Sequence, residues 1–360
     1  AAIGTTEKLI YSAPRTVQWW KDRTWQLDSP VKVLQLPLMP FVDRVRFGFA
    51  IAYLKYVVRD WRPLERETAA SWSWRIMGEN AYRGMIEPLL RGKFGVHAET
   101  VNMAWLWSRF KARTFKLGYY RGGFQALADD LVAHVTRNGA KVLLDRPLTG
   151  LTYDGNHWVA TAANGEVISA DRVLVTTGPE VLKRLVVSLP ASYLAGIDKL
   201  QSLGAMVLTL ALKEPLTSDD YWINTPKPEF PMLAMVEHTH FVDPKHYNGD
   251  HLLYCGDYVP VDHPYMTMTR DEIIEHFLPA LQRVNPRFER DWITGAWMHR
   301  ERYAQPVAPV DHSRNIPPIK TPVDGLYWAS MSHVYPWDRG TNFAVEIGHR
   351  AASVIAADRF

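Results

Sequence analysis

The sequence predicts an α/β protein in which one domain is assembled from separated segments around a second. Three observations carry this. Arg172-Val-Leu-Val-Thr-Thr-Gly-Pro179 is an apolar run that stops at Gly-Pro, as a buried parallel strand does. Residues 325–352 read as a short buried strand, a polar Asp338-Arg-Gly-Thr-Asn342 turn, and a helix whose Ala344, Gly348, Ala351 and Ala352 permit close packing. Between these segments, runs at 205–212, 232–237, 251–259 and 293–303 are strand-like and separated by loops, the mark of a largely antiparallel sheet.

The remaining elements follow in chain order. Residues 8–11 and 25–27 are short β-like runs set among Pro14, Pro30, Pro37 and Pro40. Over residues 42–113 the pattern turns helical. Leu54, Val57, Val58 and Trp61 keep helix spacing, Thr68 is the N-cap of a helix through Met77, and residues 79–90 form the next helix, closed near Gly92. The texture changes at Leu117. Gly118-Tyr-Tyr-Arg-Gly-Gly-Phe124 is a glycine turn feeding a helix with the apolar stripe Phe124, Leu127, Leu131 and Val135, stopped by Asn138-Gly139. Residues 141–144 read as a strand, and the runs 148–153 and 157–162 as a hairpin around Asp154-Gly155-Asn156. A helix over 270–284, entered by Thr269, interrupts the later strands.

Composition sets bounds. The 360 residues are 47% hydrophobic and 22% charged, as in an ordinary globular protein, and length favours two domains. Forty-one basic against 38 acidic residues give +3, too near balance to argue for a nucleic-acid partner. One cysteine, Cys255, excludes an internal disulfide framework and suits a reducing, cytoplasmic setting. The opening residues lack the basic start and apolar core of a signal peptide, and an initiator Met, as expected of a processed chain or a fragment. The apolar run 47–58 is interrupted by Lys55 and is too short to span a bilayer. Several of the 14 Trp residues adjoin cations, as in Trp19-Trp20-Lys21 and Trp72-Ser-Trp74-Arg75, which suits snorkelling surfaces or a lipid-facing helix as well as a core. Residues 41–61 are the candidate peripheral membrane contact.

The chain has no G-x-G-x-x-G, P-loop, H-E-x-x-H or G-x-S-x-G motif. His238-x-His240 has ligand-like spacing on an expected strand, but no third ligand follows, and no metal is expected. The end of the chain is more specific. A strand running into a glycine-containing turn delivers a helix N-terminus to a sheet edge, where free N–H groups and the positive dipole end favour an anion or an electron-rich ring.

Tyr119-Tyr-Arg-Gly-Gly-Phe-Gln-Ala-Leu127, then helix, strand, hairpin and Ala170-Asp-Arg-Val-Leu-Val-Thr-Thr-Gly-Pro179, is the middle of one pattern, and the terminal segment is its end. Here the sequence resembles the flavin-containing amine oxidase superfamily, nearest its bacterial protoporphyrinogen-oxidase-like members. Trp61-Arg-Pro-Leu-Glu65 and Glu87-Pro-Leu-Leu-Arg-Gly-Lys-Phe-Gly95 extend the likeness over nearly the whole chain. The resemblance implies an FAD/NAD(P)-binding, Rossmann-like domain in pieces at 118–180 and 324–360, and a substrate domain at 1–117 and 181–323. It also implies that the dinucleotide fingerprint, on the order of eighty residues, precedes residue 1. The Rossmann-like domain is then incomplete, its sheet is expected to expose apolar edges, and the function assigned is that of an intact parent.

Site residues carry over position by position. Pro147 and Leu148 stand at the step that meets the adenine end of FAD in relatives, and Thr176, Thr177 and Gly178 at the strand end facing the same half. Ala329-Ser330 replaces the Gly-Asp or Gly-Glu common in relatives near the pyrophosphate and ribityl chain. Arg339 belongs to the flavin-facing turn, where Gly340, Thr341 and Asn342 would bring N–H groups to the pyrimidine ring, and Gly122-Gly123 would let backbone pass close to the isoalloxazine. Asp338 and Arg339 also read as a surface ion pair.

The implied activity is hydride transfer from a substrate C–H or C–N bond to flavin N5, with a bulky apolar or amine substrate suited to the aromatic-rich inserted domain. Relatives that bind flavin covalently use a Cys near the final turn; none stands here, so non-covalent FAD is expected. His333 and Tyr335 are the first candidates for lining the substrate or re-oxidation face, followed by Arg121, His299 and Tyr303. Two other readings stay open: a flavin-dependent mutase of the UDP-galactopyranose mutase type, and a non-catalytic remnant.

Overall fold

A regular alternation of apolar and polar residues builds the largest unit, a seven-stranded sheet. Across it the order is β13 (Ile293–Pro306), β9 (Ser202–Leu212), β12 (His251–Val259), β11 (Ala234–Glu237), β10 (Trp222–Asn224), β2 (Thr16–Trp20) and β3 (Arg23–Gln26). Every neighbouring pair is antiparallel except β10 and β2. The computed structural model describes residues 3–358 apart from 28, 30, 31, 34, 36–38 and 115. Pro30 and Pro37, read as breakers, lie outside the described residues.

One sheet face is covered by the helix Arg270–Val284, here α8. Its start is fixed by a reciprocal cap between Thr269 and Glu272, as the sequence predicts. Ile273, Ile274, Phe277 and Leu281 of α8 pack on Met206, Leu208 and Leu210 of β9 and on Leu253 and Cys255 of β12.

Residues 41–111 form a helical block. Its helices are α1 (Phe41–Ala52), α2 (Ala69–Met77), α3 (Glu87–Phe94) and α4 (Met103–Lys111). Thr68 caps α2 by accepting from the Ser71 N–H, as expected, and Asn102 caps α4 through the Trp105 N–H. Phe47, Leu54, Met77, Ile86, Leu90, Phe94 and Leu106 make its core.

The third unit is small. β8 (Val173–Val175) pairs in parallel with β14 (Leu326–Trp328), beside an antiparallel ribbon of β5 (Leu148–Tyr153), β6 (Trp158–Ala162) and β7 (Val167–Ala170). Helices α6 (Pro179–Leu185) and α7 (Ala191–Ile197) share its core with Trp158 and Trp328. Gly325, at φ +69°, makes the entry to β14 possible. A Cβ there would lie 2.7 Å from the Asp171 carbonyl oxygen and 3.0 Å from the Trp158 Nε1. The closing helix α9 (Thr341–Ala357) packs on β14 through Ala351, and β1 (Leu9–Ser12) pairs with β4 (Leu117–Tyr120) ahead of helix α5 (Gly123–Arg137).

Several expectations need correction. α1 stops at Ala52 and continues as a widened π-type turn over Tyr53–Val57, so Val58 and Trp61 are not helical. The helix expected to close near Gly92 runs to Phe94 and ends at Gly95, φ +54°. Residues 141–144 form no strand, because no described strand lies beside them to complete a ladder. β2, β4, β7 and β10 are short, and the sequence reading missed them. His238 and His240 stand on a 3₁₀ turn after β11, not on a strand. Trp19 and Trp72 are core residues, and Trp74 is exposed beneath Arg83.

Candidate functional site

The sheet, the helical block and the small parallel unit meet at a seam. Five elements reach it: the ends of α3 and α4, Tyr258 on β12, the end of β13, and residues 330–340 between β14 and α9. Pro306, Ala308, Met331, Val334 and Trp337 line a cleft there.

Asp338 anchors the seam. Its Oδ2 accepts from Lys93 Nζ at 2.5 Å and from Arg109 Nη1 at 2.6 Å, so α3 and α4 both grip the turn that precedes α9. This replaces the surface pair read between Asp338 and Arg339: the Asp338 carboxylate is largely buried and its partners come from residues far away in sequence. Burial alone would raise the carboxyl pKa, and Lys93 and Arg109 overcome it and hold Asp338 below the usual range. Lys93 is 6% exposed, between the rings of Trp105 and Tyr258. Burial, then the Arg109 charge, lowers its ammonium to about 7 despite Asp338.

Arg339 follows. Its guanidinium lies over the Tyr258 ring, 4.7 Å from the centroid, and its Nε donates to Gln305 Oε1 at 3.2 Å. Burial and Arg109 bring its pKa down to about 10. Gly340 is the N-cap of α9 and offers no side-chain acceptor, so the first-turn N–H groups are left without a side-chain cap. A Cβ on Gly340 would meet Asn342 Oδ1 at 2.9 Å. An uncapped helix start beside a guanidinium is a donor set for a carbonyl-bearing or anionic ring edge, and it fits the pyrimidine end of a flavin.

The other expected residues lie as follows. Ser330 is buried and accepts from Ser332 N–H at 3.3 Å. His333 is also buried. Its Nδ1 accepts from the Ser330 N–H and its Nε2 donates to the Pro317 carbonyl, so both ring nitrogens are engaged. Burial and Arg350 lower it to about 4, which keeps the ring neutral. Tyr335 donates to Glu65 Oε2 and accepts from Asn102 Nδ2, both at 3.0 Å, and burial and Glu65 raise its pKa.

Thr176 and Thr177 are exposed at the carboxyl end of β8, where the Thr177 carbonyl accepts from Trp328 Nε1. Gly178 lies against the ring of Tyr303, whose hydroxyl is 2.5 Å from Ser332 Oγ, so Tyr303 joins the sheet to the seam. Pro147 is exposed and Leu148 opens β5. Gly122 and Gly123, φ +86° and +81°, start α5, and no hydrogen bond or ring contact joins α5 to residues 338–342 among the described residues. Arg121 and His299 are exposed.

The sequence reading missed Lys93, Arg109, Tyr258 and Gln305. A buried Lys has a weak signal in sequence: Lys93 sits in the stretch Gly92-Lys-Phe-Gly95, within a segment that carries the resemblance. Of the two spaced histidines, His238 bonds Tyr247 and His240 bonds Thr217 and Glu237. Among the described residues no group of three His, Cys, Asp or Glu could hold a metal.

The family model described as flavin containing amine oxidoreductase matches residues 13–356. No curated protein matches the chain. Among solved structures, the chain is similar to a protein assigned as a protoporphyrinogen oxidase from Exiguobacterium sp. 255-15, at 14% identity and a TM-score of 0.74, over 99% of this chain and 84% of that one. It is similar at 14% identity to cyclohexylamine oxidase from Brevibacterium oxydans IH-35A, with a TM-score of 0.68 over 99% and 83%. It is also similar to a reduced UDP-galactopyranose mutase, at 14% identity and 0.71 over 99% and 81%. At these identities the likeness is one of fold.

Proposed function

The chain belongs to the flavin-containing amine oxidoreductase family, which makes it an FAD-dependent oxidoreductase, and from that premise we propose that it oxidises a bulky, largely apolar substrate at the seam beside Asp338–Gly340. The observation that carries this reading is the clamp of Lys93 and Arg109 on Asp338. It holds Arg339 and the uncapped start of α9 at one end of an aromatic cleft.

When bound, FAD supplies the hydride acceptor, its N5. This chain's own residues do the rest. Arg339 and the α9 N–H groups would hold the pyrimidine end of the ring and favour negative charge there. Trp105, Tyr335 and Trp337 wall the cleft and would keep water from it. Lys93, buried against Asp338, would hold that carboxylate and the turn after it in place. In this reading residues 118–180 and 324–360 form the FAD-binding domain, which is Rossmann-like, and residues 1–117 and 181–323 the substrate domain. FAD is held non-covalently: the sole thiol, Cys255, is buried in β12, far in the chain from the final turn, and burial pushes it up to about 12.

A second reading has one observation in its favour. Lys93 and Arg109 share the one carboxylate of Asp338, and the neighbouring Arg339 has no carboxylate partner among the ion pairs of the described residues, a surplus of basic side chains that suits a phosphorylated ligand and a redox-neutral mutase. The discriminating experiment incubates the chain with FAD, desalts it, and follows oxygen uptake with candidate amine, polyene and porphyrinogen substrates. Retained flavin with substrate-dependent uptake supports the oxidoreductase reading. Turnover of a sugar nucleotide without uptake, once the flavin is reduced, contradicts it.

A further inference from the structure

We infer that the outer face of α1 and the turn after it dock on an anionic bilayer surface. This rests on geometry away from the seam and is independent of the redox reading.

A helix with apolar residues on two faces needs partners on both. α1, although it also carries Asp43, Arg44 and Arg46, is such a helix. Its inner face, Phe47 and Ala50 with Leu54 beyond, is packed in the helical block. Its outer face is not. Phe41, Val42, Phe49, Tyr53, Tyr56 and Val57 are each 50–74% exposed, on one continuous strip. The spacing 42, 45, 49, 53, 56 keeps them on one side of the helix. Phe41, Val45, Phe49, Tyr53 and Ile76 line an open, nearly wholly apolar groove along it. A patch of this kind marks an interaction surface.

Charge selects the occupant. Residues 41–62 hold five cations (Arg44, Arg46, Lys55, Arg59, Arg62) against Asp43 and Asp60, a net +3, which equals the charge of the whole chain. The remainder of the chain is therefore neutral, and its surplus is concentrated beside the exposed strip. A two-fold contact between copies would set this surplus against itself, which is unfavourable. An anionic headgroup layer attracts it, while the aromatic and aliphatic strip enters the acyl boundary. Arg44, Arg46 and Lys55 donate to backbone carbonyls and Arg62 pairs with Asp60, so these charges act as a fixed positive field beside the strip. No helix of the described residues is long and apolar enough to cross a membrane, so the contact is with one leaflet.

The test is co-sedimentation of the chain with vesicles of pure phosphatidylcholine and of phosphatidylcholine with phosphatidylglycerol, at low and high salt. The inference predicts binding to the anionic vesicles that weakens with salt. Phe49→Asp with Val42→Asp should abolish it, and Arg59→Glu with Arg62→Glu should weaken it at least about tenfold, at about 1 kcal/mol per cation. All four positions are exposed, so the variants keep the fold, which circular dichroism checks. A chain left wholly in the supernatant overturns the inference, as does binding untouched by the aspartates. Equal binding to both vesicle types overturns the charge argument. Self-association lost in the aspartate variants would assign the strip to a second copy instead.

Discussion

Lys93 Nζ and Asp338 Oδ2 lie 2.5 Å apart although 245 residues separate them in the chain. The pair ties the end of α3 to the turn that opens α9, and Arg109 from α4 shares the same oxygen. The helical block and the terminal segment thus meet at one buried carboxylate.

Removing that carboxylate strips the buried Lys93 and the Arg109 guanidinium of the acceptor they share. Asp338→Ala is expected to destabilise the chain by about 3–5 kcal/mol. Lys93→Met should cost less, because Asp338 keeps Arg109 and the methionine fills the space between Trp105 and Tyr258. Urea denaturation of the two variants measures the order, and equal losses would refute it.

Lys93 also predicts a pH dependence. Its ordinary value is 10.5 and its folded value about 7, so between these the unfolded chain binds a proton that the folded chain lacks. The cost of charging the buried amine is therefore carried in full below about pH 7 and is relieved as the pH rises toward 10.5. Stability of the wild type relative to Lys93→Met should rise from pH 7 to pH 9. A flat difference would show that the amine is charged throughout.

Tyr335 acts as a brace in this structure. Its hydroxyl links Glu65 and Asn102, and Ser313 Oγ donates to the other Glu65 oxygen at 2.7 Å. Tyr335→Phe should lower stability by about 1–3 kcal/mol, the cost of leaving buried polar groups unpaired. It should leave flavin retention unchanged. Loss of flavin with stability intact would place the hydroxyl in the redox site.

Gly325→Ala tests the fold of the small unit. The added methyl meets a backbone carbonyl at 2.7 Å, and φ +69° is itself unfavourable for alanine. A loss of about 2 kcal/mol or more is expected from thermal unfolding. An unchanged midpoint would mean that the β8–β14 pairing tolerates a shifted entry.

Much of this was legible in the sequence where local signals suffice. The caps at Thr68 and Thr269, the stop at Asn138-Gly139, the hairpin around Asp154-Gly155-Asn156 and the strand 251–259 are all decided by neighbours a few residues away. What depends on distant partners was not. The stripe Phe124, Leu127, Leu131, Val135 does form one face of α5, yet Phe124, Leu131 and Val135 are exposed and only Leu127 is half-buried. Residues 141–144 have strand composition but no ladder partner. The turn Asp338–Asn342 was legible from its own residues and its flavin-facing role came from the family resemblance, whereas Lys93 and Arg109 emerge only from the convergence of α3 and α4 on it. His333 and Tyr335 drew notice because they precede that turn, but their polar atoms are taken up by Pro317, Ser330, Glu65 and Asn102.

The most direct measurement is a visible absorbance spectrum of the chain and of Arg339→Met, each incubated with FAD, desalted and titrated with a reductant. The account predicts that both retain flavin bands and that the variant's two-electron potential falls by about 30 mV or more. That shift corresponds to about 1.4 kcal/mol lost from a cation that stabilises the reduced ring. A colourless wild type, or a potential unmoved by the loss of Arg339, would contradict it.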